Sequence, residues 1–81
     1  MESIAIKVAE IYVPTQKRGT LDSEKVDVLA EDILENGQNL PIQVRRGQNR
    51  YVLIEGLHRL EAMKALGEIT INVLIVAARR H

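Results

Sequence analysis

Four consecutive residues, Gly56-Leu57-His58-Arg59, hold the densest chemistry in this sequence. They follow the β-rich run Tyr51-Val52-Leu53-Ile54 and open a stretch of strong helix formers, so the pattern predicts strand, glycine turn, helix. The first N–H groups of a helix have no internal partner and carry the positive end of its dipole. An anion is favoured at such a start. A glycine there removes the Cβ that would hold a ligand away from the backbone. His58 and Arg59 add side-chain donors within about one helical turn, and an arginine fork can hold two phosphate oxygens at once. The chemistry implied is phosphate binding. A bare Gly-x-x-Arg string is common, however, and Glu55 and Glu61 stand close enough in sequence to pair with Arg59 instead.

Glu55 directly precedes the glycine. Beside bound phosphates its carboxylate could hold Mg²⁺ through oxygen or serve catalysis by moving a proton. As a plain helix-start carboxylate it would stabilise the dipole and neutralise Arg59. Other reagents are missing. There is no cysteine, which removes thiol catalysis, disulfides and Cys-based metal sites. The two histidines, His58 and His81, are far apart with no HExxH spacing, so a zinc site is not expected.

The elements that must position these residues follow from periodicity. Ile4, Ile6 and Val8 alternate with polar or small residues and predict a strand. Ile11 and Val13 continue an extended path that Pro14 ends, and the polar residues 15–20 predict a loop. Asp22 is a good N-cap, Leu21 and Val26 stand at staple positions, and Val26, Leu29, Ala30, Ile33 and Leu34 form an apolar stripe. A helix is expected over about 22–36, stopped by Gly37. Pro41 opens a strand over 42–46, residues 47–49 turn, and 50–54 return as a strand covered on both faces. The helix over 57–66 has apolar residues round most of its wheel and is expected to be extensively buried. A last strand spans 69–76, and 77–81 form a tail. The order β-α-β-β-α-β predicts an α+β fold, a small mixed sheet with helices packed against it.

With 81 residues the chain is expected to be a single domain, 1–81. Hydrophobic residues make up 46% but aromatics only 2%, so the core must be aliphatic. No apolar run approaches the roughly 20 residues that span a bilayer, and Glu2, Lys7 and Glu10 interrupt any leader-like stretch. The expected compartment is the cytoplasm. Formal net charge is zero, but acids crowd residues 22–35 while bases gather at Lys17-Arg18, Arg45-Arg46, Arg50, Arg59 and Arg79-Arg80. These are either ordinary solvated residues or a basic side that faces an anion.

Several ordered segments at matching spacing resemble the ParB/sulfiredoxin superfamily. Gly56-Leu57-His58-Arg59 followed by Leu60-Glu61-Ala62 resembles its Gly-x-His/Arg-Arg turn with Ala behind it. Gln16-Lys17-Arg18 is similar to a Gln-Pro-Arg box, Leu21 to Val26 to the opening of the first helix, and Asn36-Gly37 through Leu40-Pro41-Ile42-Gln43-Val44 to the helix stop and Pro-Ile strand. The resemblance covers nearly the whole chain. It implies that a nucleoside triphosphate, ATP or CTP with Mg²⁺, binds at Gly56, Leu57, His58 and Arg59. Lys25 would correspond to a first-helix lysine that reaches phosphate, or be an exposed lysine. Arg18 would reach the same pocket, or be a loop arginine. Glu55 stands where the free-serine-kinase branch has Asp.

The sequence also departs from that pattern. Sulfiredoxin needs cysteine where this chain has Leu57, and leucine is no nucleophile, so sulfinic-acid reduction is excluded. Two first-helix positions that bind phosphate through Ser and Thr in that branch are Val28 and Asp32 here. The segment Glu35-Asn36-Gly37-Gln38-Asn39 looks like a second nucleotide motif of partition proteins, but it falls at a helix stop. With no helix-turn-helix in the sequence, only weak, non-specific, salt-sensitive DNA backbone contacts by Arg45, Arg46, Arg50 and Arg79 are expected. Three functions stay open: a nucleotide-binding module that associates with itself or a partner protein, a phosphotransferase or NTPase using Glu55, and a DNA-associated accessory protein or nuclease.

Overall fold

The computed structural model describes residues 3–77. In chain order its elements are β1 (Ile4–Lys7), a 3₁₀ turn (Val8–Glu10), β2 (Ile11–Tyr12), α1 (Thr15–Arg18), α2 (Ser23–Asn36), β3 (Ile42–Arg46), β4 (Tyr51–Glu55), α3 (Leu57–Ala65) and β5 (Thr70–Ile75). The strands form one sheet in the order β1-β5-β3-β4-β2. It is mixed: β1 and β5 are antiparallel, β5 and β3 parallel, β3 and β4 antiparallel, β4 and β2 parallel. The α+β architecture expected from the periodicities is therefore present.

Alternation along the strands puts Ile42 and Val44, Leu53, Ile71 and Val73 on one face, where they meet Leu57, Leu60 and Met63 of α3 and Ile33 of α2. Ile42, Val44, Leu53, Leu60, Ile71 and Val73 are fully buried. Burial of each contributes roughly 1.5–3 kcal/mol relative to exposure; none of the six is aromatic, and Tyr51 packs against the core only partly buried. The expected two-sided cover of β4 is also seen, since adjacent Val52 and Leu53 are both buried.

Three local expectations change. Residues 15–18 make a single helical turn instead of open loop, closed by the Lys17 N–H donating to Pro14 O at 3.0 Å. Pro14 (φ −56°) has no N–H to lose at a helix start. Val8 leaves the strand pattern for the 3₁₀ turn, with its N–H donating to Ile69 O at 2.9 Å. Leu34 is 75% exposed. It lies about 100° round the helix from buried Ile33, so the real stripe is Val26, Leu29, Ala30 and Ile33.

One side chain completes the sheet. Gln38 Oε1 accepts from the Asn72 N–H at 2.8 Å, and Gln38 Nε2 donates to Asn72 O and Leu40 O, both at 3.0 Å. The amide imitates a strand residue against β5 before β3 begins, and so fixes the entry of Ile42.

Candidate functional site

The turn from β4 into α3 is built on Gly56 for two separate reasons. Its φ of +110° lies in the left-handed region. A Cβ there would also sit 2.5 Å from Ile42 Cγ2 and 2.8 Å from Ile42 Cβ. Because the N-cap residue is glycine, no side chain caps α3, and its first closing bond runs from the Leu60 N–H to Gly56 O at 2.9 Å. The amides of Leu57, His58 and Arg59 are left at the positive end of the helix. The Leu57 side chain is buried in the core, so this residue contributes backbone alone.

Arg59 is the second feature. Its Nε is buried and has no hydrogen-bond partner. Neither neighbouring carboxylate takes it: Glu61 pairs with Lys64 at 3.1 Å, the one ion pair among the described residues. An unpaired buried donor is costly, and the same residue lines a cavity. Lys17, Thr20, Leu29, Glu55 and the four residues Gly56–Arg59 surround a cavity of about 320 Å³.

Neither Lys17 nor Thr20 was among the site residues expected from the sequence, although Lys17 stood in the basic pair Lys17-Arg18. The short helix α1 explains why. Successive residues on a helical turn point about 100° apart, so Lys17 faces the cavity while Arg18 turns away. Arg18 Nε donates to Val13 O at 3.2 Å, its guanidinium lies 6.0 Å from the Tyr12 ring centroid, and it lines a different cleft of about 360 Å³. The Thr20 hydroxyl donates to Lys17 O at 2.7 Å and braces this turn.

Lys25 lines a third cleft, of about 520 Å³, together with Val28, Leu29 and His58. Neither Val28 nor Asp32 lines the Gly56–Arg59 cavity, and Asp32 Oδ1 accepts from Asn36 Nδ2 at 2.9 Å. His58 borders both spaces. Its Nε2 accepts from the backbone N–H of Asp22 at 3.0 Å, across 36 residues of sequence.

Glu55 is the single carboxylate on the cavity wall. Among the described residues no group of three or more acidic or histidine side chains could hold a metal alone. One carboxylate together with phosphate oxygens is, however, a normal environment for Mg²⁺, so Glu55 would suit that ion only where phosphates share the site.

The basic hairpin lies apart from this cavity. Arg45 Nη1 donates to Arg46 O at 3.4 Å, Arg46 lies 5.9 Å from the Tyr51 ring centroid, and Arg50 stacks 3.8 Å from that of Tyr12. Arg79 lies outside the described residues.

The model of the ParB N-terminal domain matches residues 1–81, the whole chain. The chain belongs to the ParB N-terminal domain family. A probable chromosome-partitioning protein ParB of Campylobacter jejuni is 44% identical over 75 residues, covering 91% of this chain. The chain spans 27% of that relative's length. Among solved structures, sulfiredoxin from Arabidopsis thaliana superposes with a TM-score of 0.85 at 28% identity, covering 96% of this chain and 88% of that one. The C-terminally truncated chromosome-partitioning protein ParB from Caulobacter crescentus, complexed with CTP-gamma-S, gives 0.82 at 24% identity, covering 98% and 46%. A free serine kinase variant in complex with ADP gives 0.81 at 18% identity, covering 94% and 31%. The fold is thus that of the ParB/sulfiredoxin superfamily.

Proposed function

We propose that this ParB N-terminal-type domain binds a nucleoside triphosphate by its phosphates at the start of α3. The buried, unpartnered Nε of Arg59 beside an uncapped helix N-terminus carries the reading. Backbone amides of Leu57 to Arg59 supply neutral donors, Lys17 and Arg59 supply charge, and Gly56 lets the phosphates close on the main chain. Glu55 offers one oxygen to Mg²⁺ carried on the phosphates. The ParB of Caulobacter crescentus that shares this fold was solved with a CTP analogue, and the free serine kinase with ADP, which favours CTP or ATP as ligand.

Isothermal titration with ATP and CTP, with and without Mg²⁺, tests this. The expected result is heat of binding and a raised melting temperature. No heat and no thermal shift at millimolar nucleotide would overturn it.

A second reading makes Glu55 a catalytic base in phosphoryl transfer or NTP hydrolysis, favoured by its place as the cavity's sole carboxylate. Glu55→Gln should then abolish phosphate release with folding intact, and unchanged release would remove Glu55 from the mechanism. The hairpin arginines Arg45, Arg46 and Arg50 have no carboxylate partner among the described residues. Any DNA contact they make is to the backbone and should fade as salt is raised.

A further inference from the structure

We propose that Asn36-Gly37 is a self-modifying site, where water converts the asparagine to aspartate or isoaspartate at a rate set by fraying of α2; the nucleotide reading plays no part in it. Asparagine followed by glycine is the pair best suited to this reaction, because no side chain hinders the attacking main-chain nitrogen. The nitrogen of Gly37 gives its proton to solvent hydroxide and bonds to Cγ of Asn36. The Cγ–Nδ2 bond breaks, Nδ2 leaves as ammonia after taking a proton from water, and a cyclic imide remains. Water then opens that imide at either carbonyl. The aspartate product keeps the normal main chain, and the isoaspartate product runs it through the former side chain.

Asn36 and Gly37 are both exposed, and a Cβ on Gly37 would meet nothing within 4 Å, so the reacting atoms are open to water. Two bonds hold them back. The Gly37 N–H donates to Ile33 O at 2.7 Å, and Asn36 Nδ2 donates to Asp32 Oδ1 at 2.9 Å. Both belong to the last turn of α2, and that turn is weak. It contains no basic residue, while Glu31, Asp32 and Glu35 crowd the negative end of the helix dipole. Ile33 is the one buried residue of α2, and Leu34 beside it is exposed. Helix ends with few buried contacts open at small cost, and each opening frees the Gly37 N–H.

The product acts back on the fold. The donor to Asp32 is gone, and a new carboxylate stands four residues from an old one at the negative helix end; both changes are unfavourable. Isoaspartate also lengthens the main chain just before Gln38, whose side chain holds Asn72 and Leu40 and sets the entry of β3. Modification therefore loosens the join between α2 and the sheet.

The test is peptide mapping by mass spectrometry after incubation of the intact chain in mild alkali, folded and in urea. Conversion is expected at Asn36, with Asn39, Asn49 and Asn72 intact, since Leu40, Arg50 and Val73 follow them. The folded chain should react about ten- to hundred-fold more slowly, the population cost of opening two ordinary hydrogen bonds. Glu35→Lys puts a cation in the last turn and should slow the folded reaction by about another two- to five-fold, leaving the rate in urea unchanged. The converted chain, separated by ion exchange, should melt about 2–8 °C lower. A folded chain that stays intact far beyond that ratio, or that converts as fast as the unfolded one, overturns control by fraying. Equal slowing by Glu35→Lys in both states does the same. A converted chain that melts with the original overturns the loosening.

Discussion

Helix α2 starts on Asp22, whose carboxylate accepts from the Glu24 N–H, whereas α3 starts on Gly56, which has no side chain to offer. The two helices lie against each other and come from the same chain, yet one closes its N-terminus with its own atoms and the other leaves it open. The open end has a buried, unpaired guanidinium nitrogen beside it; the capped end carries acids, Asp22 at the cap and Glu24 in the first turn. The difference teaches that positive charge does not by itself mark a site. The arginines of the β3–β4 hairpin are as cationic as Arg59, but Arg50 and Arg46 lie over tyrosine rings and Arg45 reaches a carbonyl. What distinguishes the α3 start is a concavity lined by an uncapped helix end and by an arginine whose buried Nε has no partner.

The strongest way to break the contrast is Gly56→Ala. The new Cβ must displace Ile42 and hold a strained φ, together costing about 2–5 kcal/mol. The melting temperature should fall by roughly 10–30 °C for a domain of this size. A variant that melts normally would mean that the turn tolerates a side chain and that glycine there is incidental. Next comes Arg59→Ala, which should weaken nucleotide binding by about 10- to 100-fold, the loss of a charged hydrogen bond. The free domain should be no less stable, because the substitution deletes an unsatisfied donor. A stability loss with unchanged affinity would make the α3 start as structural as that of α2.

Asp22→Ala should do the reverse: lose about 1 kcal/mol of stability with the cap, read as a lower denaturant midpoint, and leave affinity for nucleotide intact. The smallest effects belong to Lys25→Ala and to the triple change of Arg45, Arg46 and Arg50 to Ala. Neither group lines the cavity, so nucleotide affinity should move by less than about two-fold, the scale of an exposed charge. A larger loss from Lys25→Ala would extend the site into the neighbouring cleft.

Much of this was legible in the sequence because it is local. The cap at Asp22, the helix over residues 23–36, the hairpin and the glycine turn are each written within a few residues, and the structure carries them at nearly the expected bounds. Two things were not legible. Lys17 was passed over in favour of Arg18 because a polar loop has no period, and only the helical turn of α1 decides which of two adjacent cations turns inward. The bond between His58 and Asp22 spans 36 residues and leaves no trace in spacing. Leu34 misled for a subtler reason: in composition it extends the apolar stripe, but in angle it leaves it.

Ile42 sits at the opening of β3, is 1% exposed, and presses against the bare Cα face of Gly56. The wall of the cavity is therefore also the middle of the hydrophobic interior, with no hinge or soft layer between them. Whatever is gripped at that glycine braces the entire molecule, so occupancy should be readable from afar, as slower collapse under heat or protease of segments that never meet the guest.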